Sequence, residues 1–288
     1  MQREESGKPT RACRKGRADG RLCIEIARPG SQNRRRLSSK GSELNEQTLS
    51  MRLERVAAHV PQGARLADIG SDHGYLPVAL ALRGVIEAGV AGEVAQTPYA
   101  SAQRNVRRNG LADTVTVRLA DGLEAIEAND RITAISLCGM GGKTMCEILE
   151  RGKARLNGHE RLILQPNGDE RELRAWLMDN RYRIVCEELL RENRFDYEII
   201  VAEPTEAVAY SAEELYFGPL LMREKSPAFL TKWQRMLRQK QQSLANFERA
   251  RGAIPQGKLR DLGLCRDKAK IRTFVLQDIE LKGNLLSS

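Results

Sequence analysis

The sequence predicts an α/β fold built on a mostly parallel, seven-stranded sheet with one antiparallel end. Apolar strand patterns alternate with helical patterns along the middle of the chain, and a turn with two glycines follows an early strand. The last two strand patterns are joined only by residues 191–194, which are too few for a helical crossover. The alternation places helices on both faces of the sheet, and the short link makes the final strand pair antiparallel.

The first elements come before the sheet. Residues 1–43 are rich in Arg, Gly, Ser and Lys and lack apolar periodicity, so we expect a disordered basic extension. The spacing from Leu44 through Leu49 and Leu53 to Ala57 then predicts an amphipathic helix that begins at about Leu44. The predicted catalytic domain spans residues 44–222.

Seven strands are predicted within that domain. Their ranges are 64–69, 88–94, 114–119, 132–138, 161–165, 182–190 and 195–202. A seven-stranded sheet with an antiparallel end is the plan of the class I methyltransferases, a Rossmann-like fold.

Residues 223–288 change in character. Apolar residues recur at 3-4 spacing from Leu230 through Trp233 to Phe247, and a second helical pattern runs from Leu259 to Ile279 after a Gly/Pro break. This predicts an antiparallel helical hairpin, or coiled coil, with Trp233 packed in its seam.

Charge and composition limit the kinds of partner that this protein can have. The 288-residue chain carries a net charge of +9, and its basic residues concentrate in residues 1–50 and 223–288, around an acidic body. Clustered Lys and Arg favour a polyanion such as nucleic acid, although a solvated charged face would have the same composition. No apolar run reaches membrane-spanning length and the N-terminus is polar, so we expect a cytoplasmic protein without membrane association.

The six cysteines form no C-x-x-C pair and no regular framework. Such spacing is typical of reduced thiols rather than disulfides or a zinc site. We therefore expect no bound metal.

The stretch from Leu66 to Pro77 is the centre of the predicted fold. An apolar run ends in Asp68, Gly70 and Gly74 follow, and the spacing then becomes helical, which describes a strand, a tight turn and a helix start. Open α/β sheets hold their ligands at such a place. The glycines allow close approach or a positive φ, and Asp68 can accept hydrogen bonds or pair with a cation.

The spacing of this turn excludes two phosphate-binding motifs. Asp72 stands where G-x-G-x-x-G needs its second glycine, and its charge would oppose a pyrophosphate. A P-loop ending in Gly142-Lys143-Thr144 would need a glycine where Leu137 stands. A cationic ligand without phosphates suits the acidic turn better, and S-adenosylmethionine, with its sulfonium, ammonium and ribose diol, is such a ligand.

Each later strand end carries a group that could contact the same ligand or its target. Glu93 is placed to accept from both ribose hydroxyls, and Asp121-Gly122 offers a carboxylate and an N–H to an adenine edge, although Asp-Gly is also a common turn. The glycines of Gly139-Met140-Gly141-Gly142 permit close approach, and Gln165-Pro166-Asn167 has amide groups that could read a base edge. His73 could approach either ligand or simply bond the helix start.

Together these stretches resemble the TrmK family of bacterial tRNA methyltransferases. The stretches that carry the resemblance are Asp68 to Pro77, Ala91 to Val94, Val117 to Leu123, Gly139 to Gly142, Leu162 to Asn167 and Tyr197-Glu198-Ile199-Ile200. It covers roughly residues 51–250 in order. Gly74 and Cys138 stand where alanine is frequent in the family, and the segment before Met51 is not part of its pattern.

The resemblance implies a class I methyltransferase domain joined to a C-terminal coiled-coil hairpin, S-adenosyl-L-methionine as cofactor, and methyl transfer to N1 of the adenine at position 22 of tRNA. The expected cofactor-binding residues are Asp68, Gly70, Ser71, His73, Gly74, Glu93, Asp121, Gly122, Gly139 and Met140. The expected substrate-binding residues are Gly141, Gln165, Pro166 and Asn167. We expect tRNA as the partner of a monomeric enzyme, with the basic hairpin gripping the tRNA backbone.

Adenine N1 has a free lone pair at neutral pH, so the reaction needs positioning more than a base. Asp72 is the candidate catalytic residue because a carboxylate could stabilise the cationic product or take a proton from N6, although it could instead bind the methionine ammonium. The sheet alone would equally allow a methyltransferase for another RNA or a protein. A non-catalytic RNA-binding protein is a third hypothesis.

Overall fold

The computed structural model describes residues 48–249, and these residues form one seven-stranded sheet. The strand order is β3-β2-β1-β4-β5-β7-β6; β1 to β5 are parallel, and β7 is antiparallel to both β5 and β6. The strands are β1 Ala64–Ile69, β2 Ile86–Glu93, β3 Val115–Leu119, β4 Ala134–Met140, β5 Arg161–Pro166, β6 Tyr182–Glu192 and β7 Phe195–Pro204. The predicted fold class, the seven strands and the antiparallel end are confirmed.

Eight α-helices accompany the sheet in this part of the chain. They are α1 Met51–Ala57, α2 Tyr75–Leu82, α3 Gln96–Arg108, α4 Gly142–Arg151, α5 Glu170–Asp179, α6 Ala212–Phe217, α7 Pro219–Glu224 and α8 Pro227–Arg249. Strand order reverses between β1 and β4, so their carboxyl ends diverge into the crevice where such sheets bind ligands.

The two faces of the sheet are covered by separate apolar clusters, as period-2 burial of a central strand requires. In β5, Leu162 and Leu164 pack in one cluster with Leu177 of α5, whereas Ile163 packs on the opposite face with Val56 of α1. All five side chains are buried. The helices are thereby fixed on both faces, and the strand ends are left to form the site.

Helix α1 begins later than the sequence predicts. The chain at Thr48–Ser50 is not helical, and Ser50 caps the helix, its hydroxyl accepting from the backbone N–H of Leu53 at 3.2 Å. The predicted start at about Leu44 is therefore wrong for residues 48–50, because the serine cap sets the first turn. Leu49 is nevertheless buried, which explains the apolar periodicity before the cap.

Helix α8 packs against the domain rather than standing apart from it. Trp233 is 5% exposed and meets Phe217 edge to face at a ring distance of 4.6 Å, in one cluster with Leu221 and Phe229. Trp233 is buried as predicted, but its partners outside α8 lie on α6 and α7, for which the sequence predicts no element; the predicted hairpin seam stays a prediction. The predicted second helix of the hairpin and the predicted basic extension lie outside the described residues.

Candidate functional site

A cavity of about 400 Å³ opens at the carboxyl ends of β1, β2 and β4. Its volume lies in the range of small-molecule sites, roughly 300–1,000 Å³. The predicted site residues that line it are Asp68, Gly70, Ser71, Asp72, Glu93, Gly139 and Met140. Arg52, Leu53, Tyr75, Leu76, Pro98 and Cys138 complete the lining.

The turn after β1 has the backbone that its sequence predicts. Gly70, Asp72 and Gly74 have φ of 71°, 56° and 71°, and the N–H groups of Gly70 and Ser71 both donate to the carbonyl of Gly92, at 2.9 and 3.2 Å. Glycine adopts such a φ without strain, whereas Asp72 adopts it at some cost. Gly74 then caps α2 in a left-handed conformation, which directs the turn across the cavity.

Asp68 lies at the floor of the cavity and is 5% exposed. One carboxylate oxygen accepts from the hydroxyl of Ser71 at 2.5 Å and the other accepts from Ser136 at 2.6 Å. Burial raises the pKa of Asp68 despite these hydrogen bonds, because a buried carboxylate loses its hydration. A cationic ligand in the cavity would offset that cost and keep the group ionised.

Glu93 forms the opposite wall and accepts from the backbone N–H of Asp72. It is 6% exposed, and burial followed by the neighbouring charges of Asp72 and Asp68 raises its pKa. Three carboxylates therefore surround one cavity. This arrangement repels phosphate and suits a ligand with positive charge and hydroxyl donors, which is the chemistry of S-adenosylmethionine.

Asp72 lies at the mouth of the cavity, and His73 lies next to it. Both side chains are exposed, and His73 Nε2 lies 3.5 Å from Asp72 Oδ1. The His73 ring stacks on Tyr75 at 5.2 Å and faces a neighbouring cavity of about 480 Å³ with Ser101 and Arg104. His73 is thus near the predicted cofactor site without lining it.

The ends of β4 and β5 are joined by a hydrogen-bond network around Gln165. Gln165 is fully buried; its Oε1 accepts from the N–H of Gly139 at 3.1 Å and from Arg52, and its Nε2 donates to the carbonyl of Pro166 at 2.7 Å. Its amide therefore supports the loop from within. Asn167 is exposed and donates from Nδ2 to the carbonyl of Gly139 at 2.7 Å, so it is the amide that reaches the surface here.

Pro166 is buried at the end of β5, beside the start of α4. Gly141 caps α4, and a Cβ at Gly142 would lie 2.3 Å from the carbonyl oxygen of Asp169. Only glycine allows the two loops to approach this closely. The predicted substrate-binding residues are thereby brought together at one edge of the cavity.

Asp121 and Gly122 are the predicted residues that the structure sets apart. They line a separate cavity of about 80 Å³, and the Asp121 carboxylate pairs with Arg151 at 2.8 Å. That pair is exposed, so it contributes little and could exchange for a ligand. Their role at an adenine edge stays a prediction.

Sequence reasoning missed Arg52, which lines the cavity, and Tyr197, whose ring packs against Arg52. The guanidinium of Arg52 lies 5.5 Å from the ring centroid of Tyr197 while it donates to Gln165. Tyr197 belongs to one of the stretches that carry the family resemblance, so that stretch was the available signal. Nothing in the spacing around Arg52 marks it, because α1 reaches the site only through the tertiary fold.

The one group of metal-ligating side chains found within residues 48–249 is His59, Cys186 and Glu188. Arg55 donates to both carboxylate oxygens of Glu188, and His59 Nε2 lies 2.8 Å from one of them. An arginine already supplies the positive charge there. The group therefore gives no support to a metal.

Residues 66–257 match the family model of TrmK, tRNA (adenine(22)-N(1))-methyltransferase. The chain belongs to this family. It is 43% identical over 203 residues to the tRNA (adenine(22)-N(1))-methyltransferase of Bacillus subtilis, a match that covers 69% of this chain and 85% of the relative. The family predicted from the sequence is confirmed.

Solved structures agree with the family. The crystal structure of the Bacillus subtilis m1A22 tRNA methyltransferase TrmK superposes with a TM-score of 0.71 at 36% identity, over 80% of this chain and 99% of that one. A Streptococcus pneumoniae protein solved in complex with S-adenosyl-L-methionine superposes with a TM-score of 0.69 at 42% identity, over 78% and 99% of the two chains. No helix in the part of this chain that the structure describes has the length and apolarity needed to cross a membrane.

Proposed function

We propose that this chain transfers the methyl group of S-adenosylmethionine to N1 of the adenine at position 22 of tRNA, with the cavity of Asp68 and Glu93 as cofactor site. The observation that carries the proposal is the match of residues 66–257 to the tRNA (adenine(22)-N(1))-methyltransferase family. The acidic cavity supports it, because its carboxylates suit a cationic, phosphate-free methyl donor.

Each wall of the cavity has a part in holding the cofactor. Glu93 accepts from the ribose hydroxyls, since its carboxylate lies at the end of β2 beside the turn. Asp68 supplies a buried negative charge that favours the cationic ligand, and the Gly70 turn brings backbone close to it. Gly139 and Met140 line the side that faces the substrate loop.

The chemical step depends on position. Adenine N1 attacks with its own lone pair, so this chain must align the base with the methyl group, which can contribute roughly 7–11 kcal/mol. The positive charge passes from the sulfonium to the adenine ring. The exposed Asp72 carboxylate at the cavity mouth stabilises that charge or accepts a proton from N6.

The target base enters beside Asn167. The side chain of Asn167 is the exposed amide next to Gly139. Gln165 holds that side chain in place by donating a 3.2 Å hydrogen bond to Asn167 Oδ1. The N1 edge of a paired or stacked adenine is obstructed, so the base must leave its stack at a cost of a few kcal/mol. The basic segment 223–288 is expected to hold the tRNA backbone during that opening.

The remaining expectations follow from the substrate. Since tRNA is the partner, we place the enzyme in the cytoplasm. We also expect no metal, because adenine N1 is nucleophilic without a Lewis acid. A monomer stays our expectation for the oligomeric state.

The test uses unmodified tRNA transcripts that differ only at position 22. Wild-type protein and labelled S-adenosylmethionine should give N1-methyladenosine with the adenine transcript and none with the guanine transcript, as measured by nucleoside mass spectrometry. Cofactor binding without product on any tRNA would instead favour a methyltransferase acting on another RNA or a protein.

The two roles of Asp72 are separated by Asp72→Asn. A role at the adenine lowers kcat and leaves the Kd for S-adenosylmethionine within about twofold, whereas a role at the methionine ammonium raises that Kd by tenfold or more. Glu93→Gln is the comparison, since loss of a ribose contact should appear in the Kd.

A further inference from the structure

The loop that presents Asn167 is short and strained. It consists of residues 167–169, between the end of β5 at Pro166 and the start of α5 at Glu170. Asp169 has a φ of 58° and a ψ of 33°, a left-handed conformation that destabilises a residue with a Cβ. A short loop that contains such a residue keeps one conformation only where its surroundings hold it.

The cofactor side of this loop is held by backbone hydrogen bonds. The N–H of Asn167 donates to the carbonyl of Met140 at 2.8 Å. The N–H of Gly142 donates to the carbonyl of Gly168, also at 2.8 Å. Because Met140 lines the cofactor cavity, a shift of the loop would move Asn167 relative to the bound cofactor.

The other side of the loop lacks the usual support at a helix start. Asp169 occupies the N-cap position of α5, but its side chain accepts no hydrogen bond from the first turn. Its carboxylate instead lies 3.8 Å from Lys143. The N–H groups of a first turn without a side-chain cap allow a helix to fray at that end. A contact at Glu170, the first residue of α5, therefore controls where the loop lies.

Lys232 of α8 supplies that contact. Its Nζ lies 3.7 Å from Glu170 Oε1 and also donates to Glu198 of β7. The side chains of Lys232 and Glu170 are 9% and 25% exposed, so salt and water screen this pair less than a surface pair. Burial opposes the charge of Lys232, but Glu198 and Glu170 outweigh burial and raise its pKa, so the ammonium group is charged.

The same lysine belongs to the segment that is expected to hold tRNA. Lys232 lies in α8, within the basic segment 223–288. Glu198 attaches it to the sheet, so its two carboxylate partners join α8 to both β7 and α5. The start of α5 cannot move away from α8 without separating a largely buried ion pair, which is costly.

We propose that the Lys232–Glu170 ion pair positions the Asn167 loop for methyl transfer by holding the start of α5 against α8. Both are positioning residues, because neither lines the cofactor cavity and both act through Asn167. The inference rests on the proposed function, which places the target adenine beside Asn167. A tRNA held by the basic segment then meets a loop that is already set for its adenine, and less ordering remains to be done before the base is aligned.

The test compares Glu170→Gln with Glu172→Gln in the full-length protein. Both changes remove a carboxylate from the first turn of α5, so both weaken its interaction with the helix dipole to a similar degree. Glu172 is exposed and forms no ion pair with a described residue, so only Glu170→Gln breaks the contact with Lys232.

Steady-state kinetics with a tRNA transcript give the first readout. Glu170→Gln should lower kcat about tenfold and leave the KM for tRNA within about twofold, since a misplacement of about 1 Å can cost about 10²-fold in rate. Glu172→Gln should keep both wild-type values. A contact that only stabilised the fold would lower the Tm and leave kcat unchanged at a temperature where the protein is folded.

Amide hydrogen exchange gives a second readout that needs no activity. Exchange measured by NMR should be faster at Asn167 and Gly142 in Glu170→Gln, because these two N–H groups hold the loop in place. Neither amide should change in Glu172→Gln. Amides of β1 should keep their wild-type rates in both variants, which separates a loosened loop from a general loss of stability.

A Glu170→Gln protein with the wild-type kcat would overturn the proposal, as would unchanged exchange at Asn167 and Gly142 or an equal loss of kcat in Glu172→Gln. Failure of the proposed function is a different result, a wild-type protein that makes no N1-methyladenosine at position 22. That result would overturn the role in methyl transfer to tRNA, whereas the exchange rates would still show whether the ion pair holds the loop.

Discussion

Replacing Glu198 by Gln should destabilise the domain more than the loss of any exposed ion pair would. Glu198 is 2% exposed and accepts from both Arg174 of α5 and Lys232 of α8. Burial alone would raise its pKa, but Lys232 and Arg174 outweigh that effect and hold the pKa of Glu198 below its ordinary value. The carboxylate is therefore ionised, and glutamine leaves two buried cations facing a neutral group.

The size of the stability loss depends on which carboxylate partners Arg174 and Lys232 retain. Removing one partner of a buried ion pair costs about 3–5 kcal/mol. Arg174 retains Glu187 at 2.8 Å, and Lys232 retains Glu170 at 3.7 Å, so we expect the lower end, about 3 kcal/mol. For a domain of this size that corresponds to a fall in Tm of roughly 6–12 °C.

Urea unfolding followed by circular dichroism measures the loss directly. The control is Glu54→Gln, which breaks the Glu54–Arg83 pair, whose side chains are 41% and 37% exposed, and should cost less than about 1 kcal/mol. The double variant with Lys232→Met should recover part of the loss, since one buried cation is removed. A Glu198→Gln protein within about 1 kcal/mol of the wild type would refute the reasoning.

Two further outcomes are expected. Burial raises the pKa of Glu188, but hydrogen bonds from His59 and Arg55 outweigh that effect and lower the pKa to about 2, from an ordinary 4.5. The stability that Glu188 contributes is therefore complete above about pH 4.5 and is lost as the pH falls toward 2. Glu188→Gln should therefore lose less stability than the wild type between neutral pH and about pH 3, by on the order of 1 kcal/mol for this partly exposed group, and equal losses in urea titrations would contradict this. Gly142→Ala should destabilise the protein by about 1–3 kcal/mol because its Cβ meets the Asp169 backbone, whereas Gly141→Ala, whose Cβ would find its first neighbour at 3.5 Å, should unfold near the wild-type urea midpoint.

The fold could be predicted because its signals are local. Strand patterns, the turn at Gly70 and the short link before β7 each depend on a few adjacent residues, and β1 matches its predicted range at Ala64–Ile69. The helix start was misplaced where one serine cap overrode an apolar pattern, since Leu49 is buried without being helical. Local pattern therefore identified the elements better than their ends.

The site was predictable only in part, for the same reason. Asp68 and Glu93 end strands that lie side by side, so sequence position was enough to bring them to one cavity. Gln165 also ends a strand, but whether its amide faces the cavity or the interior depends on Arg52 and Gly139, which are distant in sequence. Sequence position gave the neighbourhood of each group, and packing decided its direction.

Strand β7 shows how this packing joins the cofactor cavity to the basic segment that begins at α8. Successive side chains of a strand point to opposite faces, so Tyr197 shares a face with Ile199 and holds Arg52 against Gln165 at the cofactor cavity. Glu198 points to the other face and binds Arg174 and Lys232, which fastens α8, the first part of the basic segment, to that face of the sheet. Because adjacent residues of one strand hold the cavity wall and the basic segment, a change at either residue should alter the alignment of the target base with the methyl donor.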